Sequence, residues 1–444
     1  MHRARPRDSR YFKLNTMQKE YKAYTLQTFR KIPQIQKLPE EILFSIEAVG
    51  RVYPFRVNNY VIDELIDWDD IPNDPCFRMT FPQKGMLTAE NYNEVASVTG
   101  GSANRQDIKA KLKEIYLELN PHPAGQLDEN VPYFEGHKLE GVQHKYKETI
   151  LVFPSQGQTC HAYCSFCFRW PQFVGIDSLK FSMRGIDALI RYLHGHPEIS
   201  DILFTGGDPL VMKTKVLASY IDAILDADFP HLTTIRIGTK ALSYWPYRFL
   251  TDTDADDLLK LFTKVVSRNK HLAFMANFNH PRELDTDSAQ KAIVRIRETG
   301  AEIRTQSPLL ANINDTAKVW ADMWVEQVRL GCIPYYMFIT RDTGAQHYFG
   351  VPLAQAWDIF REAYQNTSGL ARTARGPIMS TTYGKVQVLG INEIQGEKVF
   401  VLQFLQARNP RWVLRPFFAN YDANAIWLDE LKPFRDEDFF FEKS

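Results

Sequence analysis

The sequence predicts an α/β protein in which a parallel sheet, with helices outside it, is flanked by a helical N-terminal layer and a small C-terminal β appendage. Three observations predict this. Short apolar runs and amphipathic segments alternate six times between residues 146 and 366, the pattern of a parallel sheet built by helical crossovers. Residues 1–145 carry mainly helical periodicity, and residues 367–444 carry strand-like runs. The 444 residues are 44% hydrophobic, enough for one large core with additions.

In the first part, Gln18–Phe29 and Pro39–Val49 place apolar residues at helical spacing, whereas DWDDIPNDP (67–75) and NPHPAG (120–125) are turn-rich. This region, 1–145, reads as a capping layer. In the second, ILVF (150–153), DILFT (201–205), TIRIG (234–238), HLAFMANF (271–278), EIRTQS (302–307) and YYMFIT (335–340) read as strands. Arg184–His194, Val216–Leu225, Asp256–Val266, Ser288–Thr299, Ala317–Leu330 and Leu353–Gln365 read as the helices around them. Six units are fewer than the eight of a closed barrel, so an open, incomplete (β/α)6 barrel is expected over 146–366, with its site at the C-terminal strand ends. In the third part, KVQVLG (385–390) and KVFVLQFLQ (398–406) read as strands ahead of an aromatic, acidic end.

Lys+Arg and Asp+Glu both number 53, which gives no global pull toward nucleic acid or an anionic membrane. No apolar run approaches the roughly 20 residues of a membrane-crossing helix. The start, MHRARPRDSRYFKL, is basic without a following apolar stretch and reads as a flexible arm. These features favour the cytoplasm. Five cysteines, an odd number in a long chain of this kind, argue against a disulfide framework.

Three of those cysteines are crowded: Cys160-His-Ala-Tyr-Cys164-Ser-Phe-Cys167, a C-x3-C-x2-C loop just after the first strand of the alternating region. Thiolates so placed can surround one inorganic centre. Iron–sulfur clusters usually take four cysteines. Three would leave one iron of a [4Fe–4S] cluster open, as catalysis at a metal centre requires. Structural zinc prefers four ligands in C-x2-C pairs, and no second pair exists, although His161, Cys76 or Cys332 could complete a site.

Polar motifs recur at the strand ends. Gly206, Gly207 and Asp208 follow the second strand; the glycines admit close backbone approach to a ligand, and the carboxylate suits an ammonium group. Arg236 and Thr239 end the third strand, His280 follows the fourth and Gln306 lies in the fifth. This is where an α/β barrel keeps its ligands.

The cysteine triad and the TGGDP turn resemble the radical S-adenosylmethionine superfamily. The resemblance implies that Cys160, Cys164 and Cys167 hold a [4Fe–4S] cluster whose open iron chelates S-adenosylmethionine. Gly206, Gly207, Asp208, Arg236, Thr239, His280 and Gln306 then line the cofactor site. Over roughly residues 50–390 the chain resembles the lysine 2,3-aminomutases. The carrying segments are PFRVNNY (54–60), DWDDIPNDP (67–75), HKYKETILV (144–152), FTGGDPL (204–210), IRIGTK (235–240), NFNHPREL (277–284), RTQSPLLANIND (304–315), PYYMFITRD (334–342) and SGLARTARGPIMSTTYGKVQV (368–388). That family moves an α-amino group to the β carbon, using pyridoxal phosphate on a lysine. The resemblance assigns this role to Lys385, with Tyr146 beside the pyridoxal phosphate, Arg169 on the substrate carboxylate and Asp342 near the substrate side chain. It also implies a reducing partner such as flavodoxin or ferredoxin, and a homo-oligomer. The chain departs from the family at Phe168-Arg169-Trp170-Pro171, where a run of arginines is usual. Thr149 stands at a phosphate-binding arginine, and Ile378 at a carboxylate that reads the lysine ammonium. An amino-acid substrate other than free lysine follows. No zinc is expected. A pyridoxal-independent radical enzyme acting on another carboxylate or peptide, and a non-catalytic metal-binding module, remain open at this point.

Overall fold

The computed structural model describes residues 19–99, 105–120, 129–175 and 180–442. The basic arm (1–14) and most of the NPHPAG turn fall outside that range. The N-terminal layer comprises β1 (Ala23–Thr25), α1 (Glu40–Val49), β2 (Arg56–Asn58), α2 (Pro75–Thr80), α3 (Ala89–Thr99) and α4 (Arg105–Glu118). β1 pairs antiparallel with β2. The helix expected over Gln18–Phe29 is therefore corrected: its described part is a strand followed by a single 3₁₀ turn at Phe29–Lys31. Its apolar residues are used by pairing and by a core reached from β2, and tertiary pairing overrides local spacing.

After the two-residue strands β3 (Tyr133–Phe134) and β4 (His137–Lys138), the main sheet begins with β5 (Val142–Tyr146) and β6 (Thr149–Val152). It continues as α5 (Asp187–His194), β7 (Asp201–Phe204), α6 (Thr214–Asp226), β8 (Thr234–Thr239), α7 (Ala255–Ser267) and β9 (His271–Asn277). Then come α8 (Asp287–Glu298), β10 (Glu302–Leu309), α9 (Ala317–Arg329), β11 (Ile333–Ile339) and α10 (Leu353–Gln365). All six strands of the alternating region are present and pair in parallel, in sequence order. The helices form because apolar residues recur on one side. In α7, Ala255, Leu258, Leu261, Phe262 and Val265 are buried while Asp256 and Asp257 favour its N-terminus. Thr286 and Thr316 cap α8 and α9 by accepting from Ala289 N and Val319 N.

β12 (Arg375–Ser380) adds a further parallel strand beside β11, and β13 (Gly384–Ile394), β14 (Glu397–Ala407) and β15 (Pro416–Asn420) extend the same sheet antiparallel. The C-terminal strands thus continue the sheet by hydrogen bonding. The eleven-stranded order runs from β15 to β5. Laid flat, the seven steps from β12 to β5 would span about 34 Å. Instead Lys145 on β5 donates to the carbonyl of Thr381, just after β12. The sheet therefore curls until its first strand faces its last parallel one.

Burial alternates along the strands in a way that locates the site. Ile202, Phe204, Ile235, Ile237 and Ile303 point outward into the sheet–helix core. Their neighbours Asp201, Leu203, Arg236, Arg304 and Gln306 point inward and are only half-buried. The inner face of the curl is thus a half-buried, largely polar trough. A second core, built from the N-terminal layer, includes Ala162, Trp170, Tyr244, Trp245, Leu310 and Ala345 from the strand-end loops. The layer therefore covers the C-terminal mouth of the trough.

Candidate active site

Cys160, Cys164 and Cys167 carry free thiols on the loop that leaves β6. The N-terminal layer holds that loop by its backbone. Arg56 Nη1 donates to Thr159 Oγ1 at 2.7 Å and to the Cys160 carbonyl at 3.2 Å. The His161 carbonyl accepts from Tyr21 Oη at 2.7 Å and from Asn58 Nδ2 at 3.1 Å. Tyr163 N donates back to the Arg56 carbonyl at 2.8 Å, and Ser165 donates through N to Met79 O (2.8 Å) and through Oγ to Arg78 O (2.6 Å). The spacing of the cysteines revealed none of these braces.

Desolvation raises all three thiols, Cys164 to about 12, so a metal centre must displace their protons to bind. Among the described residues no group of three His, Cys, Asp or Glu side chains converges to ligate one ion. In a cubane cluster each thiolate takes a different iron, so the sulfurs sit around the group rather than meeting at one atom. Three thiolates on one loop suit such a cluster.

The strand-end residues divide into two sets. Gly206 lies at φ 140°, in the region that favours glycine. A Cβ at Gly207 would come within 2.3 Å of the Thr159 carbonyl oxygen, so this glycine admits the cysteine loop itself. Asp208, expected to take an ammonium, is buried in the turn after β7. Its carboxylate already accepts from Leu210 N (2.9 Å), Thr239 Oγ1 (2.8 Å) and Lys240 N (2.9 Å), which leaves little acceptor capacity for a ligand. Thr239 is tied to it: its hydroxyl donates to Asp208 and accepts from Ala241 N at 2.9 Å. These two side chains pin the end of β8 to the turn after β7. Arg236, also expected at the cofactor, donates through Nε to Asp201 Oδ1 at 2.7 Å, so its charge is already paired. His280 accepts from Arg282 N at Nδ1 (3.3 Å), and desolvation lowers its imidazole below the usual value. Gln306 lies on the inward-facing register of β10, opposite Asn277 on one side and Tyr336 on the other.

Lys385 enters the trough from β13, opposite Ser380. Its Nζ donates to Gln406 Oε1 at 2.5 Å and lies 5.3 Å from the ring centre of Tyr146 and 5.0 Å from that of Tyr336. Burial, then the positive charges of Arg236 and Arg375, lower this amine to about 7. A lysine so placed is substantially unprotonated near neutrality, as an amine that attacks a carbonyl must be. Lys145 beside it is lowered to about 6, again mainly by burial. Arg375 stacks 4.5 Å from both Tyr335 and Tyr336 and has no carboxylate partner among the described residues. A buried nucleophilic amine, two flanking rings and an unpaired guanidinium fit a flat aldehyde cofactor with an anionic arm.

Arg169 lies nearer the cysteine loop. Its guanidinium sits 4.4 Å from the Phe153 ring centre and 5.1 Å from that of Phe168. No described carboxylate pairs with it, and desolvation lowers it to about 10. Arg341 shares the Phe168 ring at 5.5 Å and meets Asp342 at 3.6 Å. Asp342 is thus engaged by its neighbour, and Ile378 is fully buried.

No family model matches the chain. Over 398 residues it is 31% identical to a putative L-lysine 2,3-aminomutase of Aquifex aeolicus (strain VF5), spanning 89% of this chain and 92% of that one. The chain belongs to the lysine 2,3-aminomutase family. It is therefore a radical S-adenosylmethionine protein, and that membership implies S-adenosylmethionine and a [4Fe–4S] cluster. It is also 28% identical over 263 residues to the L-lysine 2,3-aminomutase of Acetoanaerobium sticklandii (58% of this chain, 59% of that one). Against the Bacillus subtilis (strain 168) L-lysine 2,3-aminomutase it is 26% identical over 339 residues (69% and 68%). A fainter likeness, 12% identity and TM-score 0.37 over 77% of this chain and 66% of the other, links it to the crystal structure of Streptococcus suis SuiB. No helix among the described residues is long and apolar enough to cross a membrane.

Proposed function

We propose that the protein is an amino-acid 2,3-aminomutase, an isomerase that moves an α-amino group to the β carbon within an incomplete (β/α)6 barrel. In this reading residues 1–145 cap the barrel, 146–366 form it, and 367–444 deliver the cofactor lysine. The observation that carries the reading is Lys385. A lysine lowered to about 7 stands between two tyrosine rings, in the trough whose mouth holds the cysteine triad. When bound, the cluster with S-adenosylmethionine supplies a hydrogen-abstracting radical, and pyridoxal phosphate supplies the conjugated system across which nitrogen migrates.

The chain's residues do the rest. Cys160, Cys164 and Cys167 hold the cluster, and the strand-end turn at Gly206–Gly207 offers backbone donors beside it. Lys385 supplies the amine that anchors the pyridoxal, Tyr146 and Tyr336 fix its plane, Arg375 offers positive charge to its phosphate and Lys145 offers a hydrogen-bond donor. Arg169 presents a planar fork to the substrate carboxylate. The N-terminal layer closes the mouth and keeps water from a reactive radical. Among the described residues a cationic substrate side chain would compete for carboxylates already engaged, since Asp201 holds Arg236 and Asp342 meets Arg341, while Ile378 is apolar. The substrate is an α-amino acid other than free lysine. An electron donor such as flavodoxin or ferredoxin reduces the cluster in the cytoplasm.

Thr149, buried and uncharged where the family resemblance places a phosphate-binding arginine, favours a second reading in which the radical chemistry runs without pyridoxal. One experiment separates the two. Purified protein mixed with pyridoxal phosphate should develop a visible absorbance band that borohydride fixes to Lys385 and that Lys385→Ala abolishes. Failure of the wild-type protein to form the band selects the second reading.

A further inference from the structure

One buried hydroxyl beside the cysteine loop is not used by the proposed chemistry. Tyr244 ends the four-residue helix Ala241–Tyr244 that follows β8, and it is 2% exposed. Its hydroxyl has one hydrogen-bond partner among the described residues, the sulfur of Cys164, whose thiol donates to it across 3.8 Å. The contact is held from both sides. Asn58 Nδ2 donates to the Tyr244 carbonyl at 2.8 Å and to the His161 carbonyl at 3.1 Å, so one amide ties the tyrosine to the cysteine loop. On the other side Lys240 Nζ lies 4.4 Å from the centre of the Tyr244 ring. That ammonium is fixed by Glu283 Oε1 (2.6 Å), Asn279 Oδ1 (2.9 Å) and Asn277 Oδ1 (3.1 Å), with Glu283 fully buried.

We infer that Tyr244 is a positioning residue that sets the reduction potential of the cluster through Cys164. A cysteine that ligates iron has lost its proton and cannot donate. The buried hydroxyl must then turn from acceptor to donor, because a buried hydroxyl left unpaired is destabilising. An O–H···S bond to a ligand sulfur favours the more negative, reduced cluster, and hydrogen bonds to the sulfurs are among the determinants of cluster potential. This rests on the cluster reading of the triad and goes beyond it, since neither family membership nor the cysteine spacing assigns a role to Tyr244.

The test is a redox titration of the full-length, anaerobically reconstituted protein, following the low-temperature signal of the reduced cluster. Tyr244→Phe removes only the hydroxyl. It should bind the same iron per chain as the wild type and make reduction at least threefold less favourable, about 28 mV more negative at 59 mV per tenfold for a one-electron couple. Replacing Tyr244 by 3-fluorotyrosine keeps the size and makes the phenol a better donor, so the potential should move the opposite way. Opposite shifts at equal iron content support the inference. Unchanged potentials in both variants overturn it, and so does iron loss in Tyr244→Phe with no upward shift for fluorotyrosine, which would mark a packing role. Wild-type protein that forms no four-iron cluster defeats the underlying reading instead, and iron analysis of the wild type makes that failure distinct.

Discussion

Replacing Lys385 with methionine, a neutral side chain of similar length, should stabilise the cofactor-free protein, and do so by an amount that depends on pH. The folded amine is lowered from 10.5 to about 7, mainly by burial. Between those values the unfolded chain binds the extra proton, so wild-type stability rises with pH across that window and is lowest below about pH 7. Each pKa unit is worth about 1.4 kcal/mol, so the full penalty at pH 6 is up to about 5 kcal/mol. From pH 7 to 8.5 the wild type should recover about 2 kcal/mol that the methionine variant, with no proton to lose there, does not. Lys145 titrates in both proteins and largely cancels. The assay is urea unfolding of both apoproteins at pH 6 and pH 8.5, read as the difference between their unfolding free energies. That difference should shrink by about 2 kcal/mol at the higher pH. A difference independent of pH would mean that the amine is solvated, and would remove the argument that it is a poised nucleophile.

Three further outcomes are expected. Asn58→Ala takes the shared donor from the His161 and Tyr244 carbonyls and should cost about 1–3 kcal/mol; chemical denaturation with iron analysis should show lower stability and poorer cluster incorporation. Gly207→Ala drives a methyl into the Thr159 backbone and should cost about 1–3 kcal/mol or more, leaving a folded fraction without iron, whereas Gly369→Ala, which meets nothing within 4 Å, should incorporate iron normally. Arg169→Lys keeps the charge but loses the fork, and should raise the amino-acid KM by roughly tenfold or more while leaving cluster content unchanged.

The six central strands were legible because β-strands that face a helix layer outward must carry Ile, Leu, Val and Phe there, and those runs stand out between amphipathic segments. β12 was not legible as a strand, since RGPIMS holds a glycine and a proline and its partner is fixed only by the curl of the sheet. Gln18–Phe29 misled because a short edge pair can use the same apolar residues as a helix. In the site, the cysteine triad was readable from spacing alone, whereas Lys385 needed the family resemblance. The internal partners of Asp208, Thr239 and Arg236 were not legible for a shared reason: which groups a polar side chain at a strand end meets depends on what the fold brings to it. The braces at Tyr21, Arg56 and Asn58 were hidden likewise, because their partners lie a hundred or more residues away.

The most direct test of the account is product analysis. Protein reconstituted anaerobically with iron, sulfide and pyridoxal phosphate would be incubated with S-adenosylmethionine, a reductant and a pool of α-amino acids. Conversion of one amino acid other than lysine to its β isomer, absent in Cys164→Ala and in Lys385→Ala, is the expected result. Cleavage of S-adenosylmethionine with no β-amino acid from any member of the pool would contradict it.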